Sequence, residues 1–433
     1  MLKSFSLENY RSFVDKATID LRPITLLFGY NHSGKSALLR FLPLLAESAT
    51  GRYPGPLALQ SSPARGASFD DLCSRQSERS SLSFTLSGDL TEPRTEQFSC
   101  RYELRSLPGT EHFIHAVESS WRAAADQPLT TFNADRRPEA MPGSRSMSLR
   151  HAQGDAVKSA LAQFSFHGLT PFLRGPTAMA PWVWDDFQLH AAFFADLYDQ
   201  VQWLGAIRRP PPRRVELIPG AALPAKIAPD GGGAAELLAA DHGGELRRAV
   251  ETWFGGEKGG QRFVLQTRED NVRLRLGPWA APGVEIDLAD CGEGMTQVLP
   301  VIVALARAER GAPDDPRIVA CEQPELHLHP RKEIALARLL ARIASTAAPP
   351  SLLLETHSEN LLLALQLEIA EGRLDPARLG LYWIRQYEDG TSRAEPLAID
   401  ADARIKGWPR GVFEEDSTLA RELAEARMRR ADR

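Results

Sequence analysis

At 433 residues, the chain is long enough for two or three ordinary domains or one large domain with insertions. Its 43% hydrophobic and 25% charged content is that of a soluble globular protein, and a formal net charge of -5 gives the whole molecule no electrostatic bias toward nucleic acid or anionic membrane. Four scattered cysteines (Cys73, Cys100, Cys291 and Cys321) include no C-x-x-C pair, which argues against a zinc ribbon or a disulfide framework. Met1 to Phe5 carry no apolar signal core, and no window approaches the ~20 apolar residues of a membrane span, so a cytoplasmic protein with no membrane partner is expected.

In chain order, Leu2 to Leu7 and Ala17 to Leu21 are short apolar/polar alternations that read as strands. Ile24 to Phe28 is a continuous apolar run, as in a strand buried on both faces. Gly29 breaks it, and a helix is expected from Ser36 to Ala46. Residues 50–70 read as loop. Strand-like stretches then recur from Ser80 to about Asn133, predicting an antiparallel sheet. Residues 134–155 are polar and turn-rich, and residues 156–206 read as mainly helical. The Arg208 to Arg214 run, with Pro210, Pro211 and Pro212, stops any helix. Helix Glu245 to Phe254 and strands Arg262 to Gln266 and Val272 to Leu276 follow. The last third alternates helix Met295–Arg310, strand Ile318–Cys321, helix Arg331–Ala344, strand Leu352–Glu355, helix Asn360–Glu371 and strand Leu379–Tyr387. Such alternation predicts a parallel sheet with helices on both faces. A charged, exposed helix from Ser417 to Arg433 ends the chain.

The motifs fall on these elements. Gly29-Tyr30-Asn31-His32-Ser33-Gly34-Lys35-Ser36 is a G-x-x-x-x-G-K-S phosphate loop, placed after a buried strand and before a helix as the motif requires. Gly29 and Gly34 permit the turns that aim backbone N–H groups at phosphate oxygens, and the helix start adds its positive dipole end. Lys35 is expected to reach the β- and γ-phosphates of ATP and Ser36 to ligate Mg²⁺. The binding set is therefore Gly29, Asn31, Ser33, Gly34, Lys35, Ser36 and Ala37. Arg317 to Glu325 is an apolar strand ending in carboxylates. One carboxylate there can hold the Mg²⁺ shell, and a second can polarise the attacking water. His357, in Glu355-Thr356-His357-Ser358, ends the next strand at the carboxyl edge, where ligands of α/β sheets bind.

Together with the segments that surround them, these motifs resemble the ATP-binding-cassette heads of the SMC, RecF and OLD group. The chain is most similar to single-chain bacterial AAA-type ATPases with a C-terminal domain of unknown function. The segments are Glu8-Asn9-Tyr10-Arg11-Ser12-Phe13, the phosphate loop, Leu204-Gly205-Ala206-Ile207-Arg208, Asp290 to Gln297, Glu322 to Pro330, Glu355 to Ser358 and Trp408 to Phe413. The resemblance implies a mixed α/β P-loop head with helices on both faces, an antiparallel β-subdomain and a helical insertion. It divides the chain into an N-terminal lobe (1–150), a mainly helical insertion (151–260), a C-terminal lobe with signature, acidic motif and switch histidine (261–398) and an extension (399–433). It also implies a head-to-tail homodimer or higher oligomer, in which each ATP lies between one phosphate loop and the partner's signature segment, Gly292 and Gly294 included. Arg11 is expected to support the nucleotide.

Two departures from the family pattern bear on rate. Gly292 replaces the signature serine. Gln323 stands where the catalytic Glu belongs, leaving Glu322 as the Mg-side acid and Glu325 as the substitute base beside His357. A glutamine can orient water but is a very poor proton acceptor, so slow, dimer- and partner-dependent hydrolysis is expected.

Asp400 and Asp402 read as a solvated turn, and no nuclease is expected in this chain. His327 and His329 lack a third ligand and read as packing of the loop after Glu325. Three functional readings remain open: an ATP-gated switch acting on a separate effector, in antiphage defence; a DNA-engaging ATPase of repair or recombination type, with nucleic acid as partner; and a nucleotide-dependent structural assembly protein with negligible turnover. The absence of long heptad arms weighs against the second.

Overall fold

The computed structural model describes residues 1–90, 95–106, 112–136, 146–173, 181–216, 218, 222–256, 260–268, 271–413, 419, 421–423 and 425. The N-terminal part holds β1 (Leu2–Glu8), β2 (Ala17–Asp20), β3 (Ile24–Phe28), α1 (Lys35–Ala49), the single turn α2 (Phe69–Leu72), and the strands β4 (Ser81–Leu90), β5 (Thr95–Arg105), β6 (Phe113–Arg122), β7 (Thr130–Arg136), β8 (Ser146–Gln153), β9 (Ala156–His167) and β10 (Thr170–Leu173). The middle holds α3 (Pro181–Ala195), α4 (Leu197–Gln200), β11 (Val201–Leu204), β12 (Val215–Glu216), α5 (Ala234–Ala239), α6 (Glu245–Gly255), β13 (Gln261–Arg268), β14 (Asn271–Pro278) and β15 (Ile286–Asp287). The last third holds α7 (Glu293–Arg310), β16 (Ile318–Glu322), α8 (Pro330–Ala344), β17 (Ser351–Glu355), α9 (Glu359–Ala370), β18 (Leu379–Gln386), β19 (Ser392–Ile399) and β20 (Ile405–Lys406).

A seven-stranded sheet, in the order β11-β16-β17-β3-β18-β19-β20, organises the molecule. Its first five strands run parallel, and β19 and β20 close it antiparallel. Every residue of β3, β16 and β17 is buried, as the continuous apolar runs require of strands covered on both faces. Alternation sends Ile24, Leu26 and Phe28 into one core with α7, α8 and α9, and Leu27 into another with α1 and the antiparallel sheet. That second sheet has nine strands, in the order β10-β9-β8-β7-β6-β5-β4-β1-β2. The mixed α/β head with an antiparallel β-subdomain is therefore present, and helices α3 to α6 follow that subdomain in the chain.

One expectation needs correcting. Within residues 156–206, read as mainly helical, 156–173 form β9 and β10 and 201–204 form β11, and β8 occupies part of the stretch read as turn-rich. Alternation in β9 is confined to Gln163 to His167; its first half, Ala156 to Ala162, is alanine-rich without a clear alternation, and Val157 and Leu161 are exposed. Its conformation is set by the ladder to β8, from Ala156–Gln153 to Gln163–Ser146, because tertiary pairing overrides weak local propensity. The expected C-terminal helix lies mostly outside the described residues. Among the described residues, no helix is long and apolar enough to cross a membrane.

Candidate nucleotide-binding site

Because β3, β16 and β17 are parallel neighbours, their carboxyl ends place three sequence-distant motifs on one edge of the sheet. The phosphate loop leaves β3 through Gly29 (φ +154°) and enters α1 through Gly34 (φ +100°), both in backbone regions that favour glycine. Space enforces the same choice. A Cβ on Gly29 would lie 2.5 Å from the Ile384 carbonyl oxygen of β18, and one on Gly34 would lie 2.9 Å from Ser12 Oγ and 3.0 Å from the Phe13 ring. The Tyr10–Phe13 turn is thereby packed on the loop, with the Arg11 guanidinium over the Tyr10 ring.

Lys35 is buried, and its ammonium donates to the carbonyl oxygens of Gly29 and Tyr30, each at 2.8 Å. Burial lowers its pKa, and the nearby Glu355 carboxylate opposes that shift. Ser36 donates to Glu355 Oε1 at 2.9 Å. Asn31 is exposed, Ser33 is buried with an unpartnered hydroxyl, and Ala37 is half-buried on the first turn of α1.

The acidic residues divide sharply in their surroundings. Glu322 is buried, and both its oxygens take bonds from Arg40, with Nε at 2.6 Å from Oε1; the Trp203 indole N–H adds a third at 3.2 Å. Arg40 lies one helical turn after Ser36, so both face the sheet edge. Gln323 is half-buried at φ +42°, its backbone N–H donating to the Glu355 backbone carbonyl at 2.8 Å. Glu325 accepts the Thr356 hydroxyl at 2.7 Å and the His357 backbone N–H at 2.9 Å, both on Oε1, while its buried Oε2 has no partner. Burial pushes the Glu325 and Glu355 carboxyls up, against the hydrogen bonds that each accepts. The exposed His357 imidazole is shifted down by desolvation and by the Lys35 charge, which favours its neutral form.

The structure thus brings Lys35, Ser36, Glu322, Gln323, Glu325 and His357 to one edge. Gly292 and Gly294 are elsewhere, at the start of α7. Gly294 packs under the loop after β16, where an added Cβ would sit 2.3 Å from the His327 carbonyl oxygen, while Gly292 is exposed with open space around it. Among the described residues, no hydrogen bond or ion pair joins 292–297 to 29–36. His327 faces Glu293 at 3.4 Å, and His329 caps α8 by accepting the Arg331 N–H. Asp400 accepts the N–H groups of Asp402 and Arg404 in a closed turn.

Sequence reasoning missed Arg40, Trp203 and the roles of Arg208 and Glu355. Arg40 had a signal, its i+4 spacing from Ser36. Glu355 had one too, a carboxylate closing an otherwise apolar strand. Trp203 and Arg208 depend on β11 pairing beside β16, which no local pattern announces.

A phosphate loop, a buried lysine and a row of carboxylates at the carboxyl edge of a parallel sheet define a P-loop nucleoside-triphosphatase head. A family model described as an AAA ATPase domain matches residues 1–105 and 254–362. These two stretches contribute β1, β3, the phosphate loop, β16 and β17, and they are separated in the chain by β6 to β12 and α3 to α5. The match to the AAA ATPase domain model is thus in two parts, interrupted by that insertion. None of the curated proteins is significantly similar in sequence. Among solved structures, the chain is similar to an SMC head domain from Thermotoga maritima at 14% identity and a TM-score of 0.44, covering 92% of this chain and 99% of that one. An SMC head bound to the C-winged helix domain of ScpA is 11% identical with a TM-score of 0.49, covering 92% and 98%. An SMC head with an extended coiled coil, bound to the C-terminal domain of ScpA derived from Pyrococcus furiosus, is 10% identical with a TM-score of 0.40, covering 98% and 99%.

Proposed function

We propose that the chain is a slow, Mg²⁺-dependent ATPase whose nucleotide-driven, head-to-tail dimer acts as a switch on a separate effector protein. The observation that carries the binding half is the loop itself. Lys35 is held by the Gly29 and Tyr30 carbonyls, which a phosphate can replace as its partners. Ser36 stands beside it against a carboxylate. The Ser36 hydroxyl and a carboxylate at the end of β16 or β17 are the hard oxygen donors that Mg²⁺ takes, with the phosphates completing the shell. Bound there, the ion would neutralise charge on the β- and γ-phosphates.

Slow turnover follows from what flanks the attacking side. Gln323 orients water without accepting its proton. Glu325 has one oxygen committed to Thr356 and His357 and one without a partner, so it is the group left to act as base, with neutral His357 beside it. Gly292 to Gln297 bind no part of their own phosphate loop, which supports a role on a partner's nucleotide, where the start of α7 offers N–H donors. The cellular setting proposed with this reading, antiphage defence, rests on the family resemblance alone.

The test is ATP binding and sedimentation of the full chain with and without Mg·ATP. Wild type is expected to bind and associate, Lys35→Ala to do neither, and phosphate release per chain to rise with protein concentration. Brisk turnover by dilute monomer would sink the dimer-dependent mechanism. A DNA-engaging ATPase would need basic side chains free to meet phosphates, and the Arg208 to Arg214 run is largely engaged within the chain. Arg208 is buried against backbone carbonyls, Arg209 lies 3.4 Å from Asp230, and Arg213 pairs with Asp290.

A further inference from the structure

We propose that Glu355, and not Glu322, is the carboxylate that joins Ser36 in holding the divalent cation; this rests on the reading that the loop binds Mg·ATP. Register comes first. Glu322 and Glu355 are directly opposite on neighbouring parallel strands, and β17 lies between β16 and β3. Glu355 is therefore one strand spacing, about 4.8 Å, closer to the strand that feeds the phosphate loop. The hydroxyl of Ser36 already reaches it.

Availability comes second. Glu322 has both oxygens engaged by the Arg40 guanidinium and one also by Trp203. A bidentate guanidinium cancels the charge that a cation would seek. Releasing Glu322 would also strand Arg40, whose side chain is only 15% exposed. Glu355 is 4% exposed, its Oε1 accepts the Ser36 hydroxyl, and its Oε2 is buried with no hydrogen-bond partner. The neighbouring cation Lys35 donates to the loop carbonyls of Gly29 and Tyr30 instead. A buried carboxylate oxygen without a partner calls for an explanation, and an absent ion is one of the few that apply. Glu322 then becomes a positioning residue. Through Arg40 it fixes the first turns of α1 to the end of β16, and so fixes where Ser36 points.

The assignment is tested with Mn²⁺ in place of Mg²⁺ and a non-hydrolysable ATP analogue. Protein-bound Mn²⁺ is read by electron paramagnetic resonance, and analogue binding is measured separately in a chelator. Glu355→Gln is expected to weaken Mn²⁺ binding to the protein–analogue complex by about ten-fold or more, and Glu322→Gln by less than about three-fold. Metal-free analogue binding should persist in Glu355→Gln, which separates loss of the metal from loss of the nucleotide site, and Glu355→Asp should give intermediate Mn²⁺ affinity. Glu355→Gln staying within about three-fold of wild type, or Glu322→Gln losing as much or more, overturns the assignment alone. A wild-type chain that binds no analogue with or without metal overturns the nucleotide reading and the assignment together. Should Glu322→Gln fail to fold, the comparison of Glu355→Gln with wild type still decides.

Discussion

Arg208 Nη2 donates to the carbonyl oxygen of Gln323 at 2.9 Å, and Gln323 is held in the left-handed region at φ +42°. The other guanidinium nitrogen donates to the carbonyls of Gly205 and Glu322 at 3.1 and 3.2 Å. A fully buried arginine thus props the turn that follows β16, where a non-glycine residue is under steric strain. Removing it takes hydrogen bonds from the Gly205, Glu322 and Gln323 carbonyls and leaves the Gln323 carbonyl with the Leu326 N–H at 3.1 Å. Arg208→Ala is expected to lower stability by about 3 kcal/mol or more, and Arg208→Lys to recover little, since an ammonium cannot reproduce the fork. Chemical unfolding midpoints check this; an unchanged midpoint in Arg208→Ala would mean that Arg208 does not support the turn.

Burial raises the Glu325 pKa above its ordinary 4.5. A raised folded-state pKa means the folded protein holds the proton more tightly than the unfolded one. The group's favourable contribution is therefore complete below pH 4.5 and is lost as pH rises through the folded-state value. Glu325→Gln keeps an acceptor for Thr356 and cannot ionise. Its melting temperature is expected to match wild type at the acid end and to exceed it increasingly toward pH 8. A difference independent of pH would mean that Glu325 is not the titrating group.

Trp408 packs edge-on against Phe28 at 5.3 Å and lies 5.6 Å from Phe413 and 5.9 Å from Trp383, centroid to centroid. Phe28 is the last residue before Gly29, so the C-terminal aromatic motif buttresses the base of the phosphate loop. Trp408→Ala is expected to cost about 2–4 kcal/mol through lost aromatic packing and to weaken nucleotide binding as the loop loosens. Differential scanning fluorimetry with and without Mg·ATP separates the two effects. A stability loss with unchanged nucleotide affinity would confine Trp408 to packing.

The glycines that open α7 should respond oppositely. Gly294→Ala would place a methyl group 2.3 Å from the His327 carbonyl oxygen, against backbone that cannot easily move. It is expected to cost about 2 kcal/mol or more. Gly292 has φ -56°, ψ 150° and open space around its Cβ position. Gly292→Ser should therefore fold within about 0.5 kcal/mol of wild type. If this segment binds a partner's nucleotide, the new hydroxyl should shift ATP-dependent association to lower protein concentration in sedimentation. Unchanged association would remove residue 292 from the interface.

The sequence by itself determined the elements whose cause is local. Gly29 to Ser36 specifies its own turn, since φ > 0 at both ends requires glycine. Ile24 to Phe28, Ile318 to Cys321 and Leu352 to Leu354 announce buried strands by being apolar almost throughout, and that placed three motifs on one sheet edge. The first half of strand β9 was not legible, because the alanine-rich Ala156 to Ala162 has weak preferences of its own and takes its conformation from a partner strand. The division of labour among the carboxylates was equally hidden. Glu322, Glu325 and Glu355 look interchangeable in one dimension, each ending or following an apolar strand. Only the tertiary structure decided that Arg40 and Trp203 take Glu322, that Thr356 and His357 take one oxygen of Glu325, and that Ser36 meets Glu355. A carboxylate's role follows from which charges and donors reach its oxygens, and those arrive from elements distant in the chain.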